Sequence, residues 1–189
     1  MGIIITEHSN TELWQKLVQS AGEHCQCHLD EELESYLVHM LIRHIDDADL
    51  ADTVIAPRYL EGLLAQGQSG IQQLQTVGDQ CLLFSGLFPR RSRRRLVKAS
   101  YYVDVGRSAY MQLSDRLKQA YAHLYHKLSL HFVEMMDILQ ALRASSDSGE
   151  LDSLLLIDYA NDNNSQYAKK LLQERFKHSL HHPGKGLTH

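Results

Sequence analysis

The sequence predicts an all-α protein, a single-domain irregular bundle of about seven or eight helices. Three observations carry that reading. Apolar residues recur at intervals of three and four along nearly the whole chain, strand-type alternation is almost absent, and polar or glycine-containing turns separate the periodic segments. With 189 residues and 43% hydrophobic content, the chain is long enough for one real core and short for two. We expect one domain over 1–182 and a flexible tail over 183–189.

Each element has its own signal. Ser9 and Glu12 form a capping box ahead of the stripe Leu13, Trp14, Leu17, Val18 and Ala21, with Gly22 as the expected stop. Asp30 reads as the next N-cap, with Glu31 and Glu32 in the electropositive first turn and Leu33, Tyr36, Leu37, Met40, Leu41 and His44 on one face. Pro57 suits the first turn of a short helix that Gly67 would end. The stretch from Ile71 to Phe88 becomes apolar nearly all round, which predicts a central helix.

Beyond the arginine-rich segment, Tyr102, Val105, Gly106, Ala109 and Leu113 share a face. The pattern then runs on to Leu139, and we expect a break near Ser114 and Asp115. Leu151 to Tyr159 forms a short helix after the polar "SSDSGE" linker, and Ser165 caps the last helix. No 18-residue apolar run and no signal-peptide pattern is present, so the expected location is the cytoplasm. Three cysteines, an odd number, read as free thiols.

Charge is unevenly distributed. The formal −4 divides into +6 from Arg90, Arg91, Arg93, Arg94, Arg95 and Lys98, and −10 from everything else. The first 52 residues alone hold eleven acids against Lys16 and Arg43. The basic run either docks on that acidic third, within the chain or across a homodimer, or presents itself to another protein. A nucleic-acid grip is the alternative, disfavoured because the rest of the molecule repels phosphate.

Two constellations hold metal-type donors. "EHCQCH" contains His24, Cys25, Cys27 and His28, and His131 lies three residues from Glu134. Four donors crowded into five residues lack the distant second pair that closes a tetrahedral site, and a single His-x-x-Glu is not a di-metal bundle signature. We therefore expect no metal and no cofactor. Asp79, set in the apolar helix beside Gly78, needs a partner if buried; Arg107 or a hydroxyl from "YYVDVGRSAY", which also holds Tyr101, Tyr102, Asp104 and Tyr110, could supply it. Gly106 inside a helix suggests close approach of a neighbour.

Phosphate-binding glycine loops, nucleophile elbows and zincin motifs are absent, which lowers the expectation of an enzyme. The block "VGDQCLLFSGLFPRRSRRR" followed by "YYVDVGRSAY", about residues 76 to 113, resembles an uncharacterised, mostly proteobacterial family of cytosolic proteins. That resemblance implies a bacterial source and transfers no catalytic residue. The reading that results is a non-catalytic helical binding or regulatory protein. Its alternatives are a helical-bundle enzyme or small-ligand carrier using the Asp79, Asp104, Arg107 and tyrosine cluster, and a nucleic-acid-binding accessory protein acting through the arginine run.

Overall fold

A computed structural model describes residues 3–44, 50, 53–89, 97–145 and 151–181. Among the described residues there are nine helices and no strand: α1 (Ile3–Cys25), α2 (Glu31–His44), α3 (Ile55–Leu64), α4 (Gly67–Gly86), α5 (Ala99–Arg116), α6 (Gln119–Leu130), α7 (Phe132–Ser145), α8 (Ser153–Asp162) and α9 (Gln166–His181). The all-α class holds; the expected seven or eight helices become nine. The extra helix arises at His131, where the expected continuous stretch breaks into α6 and α7, while the turn between α5 and α6 falls at Leu117 and Lys118 rather than at Ser114. Both turn residues are extended and Gln119 follows with φ 54°, which reverses the chain and returns α6 along α5.

Boundaries moved for physical reasons. α1 starts at Ile3 and passes through Ser9, so the capping box marks no helix start. It ends three residues beyond Gly22, where Gln26 adopts the left-handed conformation at φ 60°. Gly67, expected to end α3, instead opens α4 at φ 63°. The caps at Asp30 and Ser165 are as the sequence indicated: Asp30 Oδ1 accepts from the Leu33 N–H at 3.0 Å and Ser165 Oγ from the Ala168 N–H at 2.9 Å.

α4 is the central helix, buried on every side from Val77 to Gly86. α3, α5 and α7 pack directly on it, α1 lies against α2 and α7, and α8 and α9 close the remaining side. Two glycines permit close contacts between α4, α5 and α7. A Cβ at Gly78 would fall 2.4 Å from Tyr110 Cε1, and one at Gly106 2.5 Å from Phe132 and 2.8 Å from Cys81. The close approach expected at Gly106 is therefore present. Arg116 holds α3 to α5 by donating to the last carbonyls of α3, Gly62 O at 2.9 Å and Leu63 O at 2.7 Å. No helix among the described residues is long and apolar enough to cross a membrane.

Candidate functional site

Asp79 is buried at 2% exposure in the middle of α4. Its Oδ1 accepts from the Tyr36 hydroxyl at 2.6 Å and the Tyr110 hydroxyl at 2.8 Å, and its Oδ2 accepts from the Arg43 guanidinium at 2.9 Å. His44 Nε2 stands 3.7 Å from the same oxygen. α2 supplies Tyr36 and Arg43 seven residues apart, two turns along one face, and the guanidinium lies 5.7 Å from the centre of the Tyr36 ring. Tyr125 packs against both phenols, 6.2 Å from Tyr36 and 5.9 Å from Tyr110.

Burial, and then the neighbouring Asp79 carboxylate, push the Tyr36 and Tyr110 hydroxyls well above their ordinary range; burial and Asp79 together lift Tyr125 to about 12. At neutral pH all three phenols stay protonated, and Tyr36 and Tyr110 serve as donors to Asp79. Both carboxylate oxygens are committed, to two phenols and a guanidinium, so Asp79 is poorly placed as a general base.

The structure joins Asp79 with Tyr110 and not with the rest of the block. Asp104 and Arg107 are exposed on the outer face of α5, and Arg107 Nε donates instead to Ser129 O at 3.2 Å while Ser129 Oγ donates to Arg107 O at 2.9 Å. Arg43 takes the place proposed for Arg107. Tyr101 and Tyr102 pack edge-on to one another, with Tyr102 against Phe84, both at 5.3 Å. Tyr36 and Arg43 were the missed partners, and their seven-residue spacing on α2 was the available signal.

Arg90, Arg91, Arg93, Arg94 and Arg95 lie outside the described residues; Lys98 is exposed just before α5. In the acidic third, Lys127 of α6 meets both Asp30 and Glu32, the latter at 2.8 Å. The metal-type donors do not converge: among the described residues no three His, Cys, Asp or Glu side chains are grouped to hold an ion. His24 lies edge-on to Tyr167 with ring centres 6.1 Å apart, His28 is exposed, and His131 Nδ1 is 3.7 Å from Glu134 alone.

A second place is concave. A cavity of about 270 Å³ lies between α7 and α9. α7 contributes Gln140, Arg143 and Ala144; α9 contributes Tyr167, Leu171, Glu174, Arg175 and His178, all within one helical face. Arg143 is buried, and Arg175 is fixed at the rim by donating to Leu151 O at 2.6 Å and Ser153 Oγ at 2.8 Å. Gln140 donates its amide to Ser85 O at 3.1 Å, which leaves its buried Oε1 without a hydrogen-bond partner. The spacing of Arg175 and His178 from Tyr167 and Leu171 would have placed them on one face, but no sequence feature pairs that face with Gln140 and Arg143. Comparison with family models, curated proteins and solved structures finds no match to this chain.

Proposed function

We propose that the protein is a non-catalytic helical binding protein, and that the cavity between α7 and α9 takes a small carboxylate carrying a neighbouring hydroxyl or amine. The observation that supports this most directly is the buried Gln140 Oε1, an acceptor with no donor, in the same wall as the buried Arg143. Arg143, Arg175 and His178 stand in the lining beside Glu174 and can donate to one carboxylate in addition to the contacts they already make. An O–H or N–H on the adjacent carbon of the ligand would satisfy Gln140, while Ala144, Leu151 and Leu171 receive a short apolar portion. The volume lies just under the usual lower range of ligand cavities, about 300 Å³, so the ligand is small.

The closed Asp79 network favours this reading over an enzyme built on that cluster. Docking of the arginine run on an acidic face, in this chain or a partner protein, belongs to the same binding role and fits a cytoplasmic setting. The test is calorimetry and thermal shift with glycolate, lactate and serine beside acetate and inorganic phosphate. Lactate or serine should bind at least tenfold more tightly than acetate, and Leu171→Trp, which fills the cavity, should remove the binding. Equal weak binding of every anion, or lactate and serine binding unaffected by Leu171→Trp, would remove the proposal.

A further inference from the structure

Outside both sites, two thiols are held together by the way α1 ends. The Cys27 N–H donates to Gly22 O at 2.9 Å and the Gln26 N–H to Glu23 O at 3.3 Å, the paired bonds of a helix end whose left-handed residue is Gln26. This reversal folds Cys27 back over the final turn, beside Cys25. The Cys25 thiol points to Gly22 O at 3.5 Å and the Cys27 thiol to Cys25 O at 3.7 Å, so the turn sets the Cys27 side chain over the backbone of Cys25. Cys25 is buried and Cys27 is half-buried, so the pair meets solvent on the Cys27 side. The third cysteine, Cys81, is buried in α4, beneath Gly106 of α5.

From this geometry we infer that Cys25 and Cys27 form a redox-active dithiol that hydrogen peroxide converts to a reversible intramolecular disulfide. One residue separates them, and the turn at Gln26 holds the backbone in a reversal compatible with the bridging span of about 7 Å between Cα atoms. The site is independent of the carboxylate cavity and stands whether or not a ligand binds there.

The chemistry assigns the thiols different parts. The neighbouring Cys27 thiol holds the Cys25 thiol below its usual range, whereas the neighbouring Cys25 and burial raise Cys27. The Cys25 thiolate attacks one peroxide oxygen: an S–O bond forms, the O–O bond breaks, and the departing hydroxide takes the Cys27 proton and leaves as water. The Cys27 thiolate then attacks the Cys25 sulfenic sulfur. An S–S bond forms, the S–O bond breaks, and the hydroxide released takes up the proton that Cys25 gave on ionising. Two thiols and one peroxide become one disulfide and two waters; each sulfur loses one electron and each peroxide oxygen gains one. A disulfide closing so short a loop is strained and therefore readily reduced.

The experiment exposes the full-length chain to a few equivalents of hydrogen peroxide, quenches with an alkylating agent and reads mass spectra. The expected product is monomeric and carries one alkyl group, on Cys81, where the reduced chain alkylated under the same denaturing conditions carries three; the segment holding Cys25 and Cys27 is unalkylated and lighter by about 2 Da than its dithiol form. Dithiothreitol should restore both thiols. Cys27→Ser, with its fold checked by circular dichroism, should stop at a Cys25 sulfenic acid captured by dimedone. A wild-type chain that carries Cys25 to sulfinic acid, that bridges to Cys81 or to a second chain, or that keeps both thiols where free cysteine is oxidised, would overturn the inference.

Discussion

Two aspartates lie in the core at the same 2% exposure, and they are stabilised by opposite means. Asp79 has a cation: Arg43 at 2.9 Å, with two phenols on its other oxygen. Asp137 of α7 has none at such range among the described residues. It accepts from Ser165 Oγ at 2.6 Å and from the Tyr167 N–H at 3.2 Å, so its compensation is a hydroxyl and the first turn of α9. Burial pushes the Asp137 carboxyl up to about 6, and the bonds from Ser165 and Tyr167 only partly oppose that rise. The pair teaches that hydrogen bonds alone hold a buried carboxylate in place, while a nearby cation is what compensates its charge.

The largest effect that tests this contrast is truncation. Asp79→Ala strands the buried Tyr110 phenol together with the half-buried Tyr36 and a half-exposed arginine, and should cost about 4 kcal/mol in urea unfolding at pH 7, because each stranded buried donor costs about 1 to 3 kcal/mol and the exposed one less. Asp137→Ala should cost less than half as much at that pH, since it also removes an unfavourably buried charge. Equal costs would break the comparison.

Next is pH. The folded Asp137 carboxyl, at about 6, lies above its unfolded value of 3.8, so between those limits the folded chain binds more protons than the unfolded one. Its contribution to stability is complete below about pH 4 and falls as pH rises through 6, a loss of about 2 to 3 kcal/mol at 1.36 kcal/mol per pKa unit. Asp137→Asn should therefore gain on the wild type by that amount between pH 4 and pH 7. The Ser165 hydroxyl can turn to accept from the new amide, so the geometry survives. A stability difference independent of pH would contradict the assignment.

Smaller effects refine the Asp79 side. Tyr36→Phe and Tyr110→Phe should each cost about 1.5 kcal/mol, as bonds to a charged acceptor do, and the double variant should depart from additivity because both phenols share Oδ1. Strict additivity would show two independent bonds. Lys127→Met marks the lower limit: its pairs with Asp30 and Glu32 sit at the surface, and the change in melting temperature should shrink to the noise as salt is raised.

How much of this was legible in the sequence differs between the two aspartates. Asp79 could be found because it interrupts a helix apolar nearly all round, where a charge must be paired; Tyr110 was among the partners named, and Arg43 was not. Arg43 looked like one of two cations in an acidic segment, and only the docking of α2 beside α4 turns it inward. Asp137 was passed over as a polar position between Met136 and Ile138 on a helix read from its apolar stripe. Ser165 was seen as a cap for its own helix, while its bond across to Asp137 depends on a contact between α7 and α9 that no local pattern records. The helix class followed from periodicity, but the turns at His131 and Gln119 depended on where α6 must fold back.

The contact of Gly78 with Tyr110 limits how related chains can diverge. Position 78 cannot gain a methyl group while position 110 keeps a six-membered ring over it, because the two would overlap at 2.4 Å. A descendant with alanine at 78 must shrink position 110, and with that ring goes one of the three donors to Asp79. The two sites should thus vary together or not at all, while Gly106 is held by both Phe132 and Cys81 and should change only if both neighbours give way. A set of homologous sequences, once aligned, would carry the imprint of these contacts as coupled substitutions.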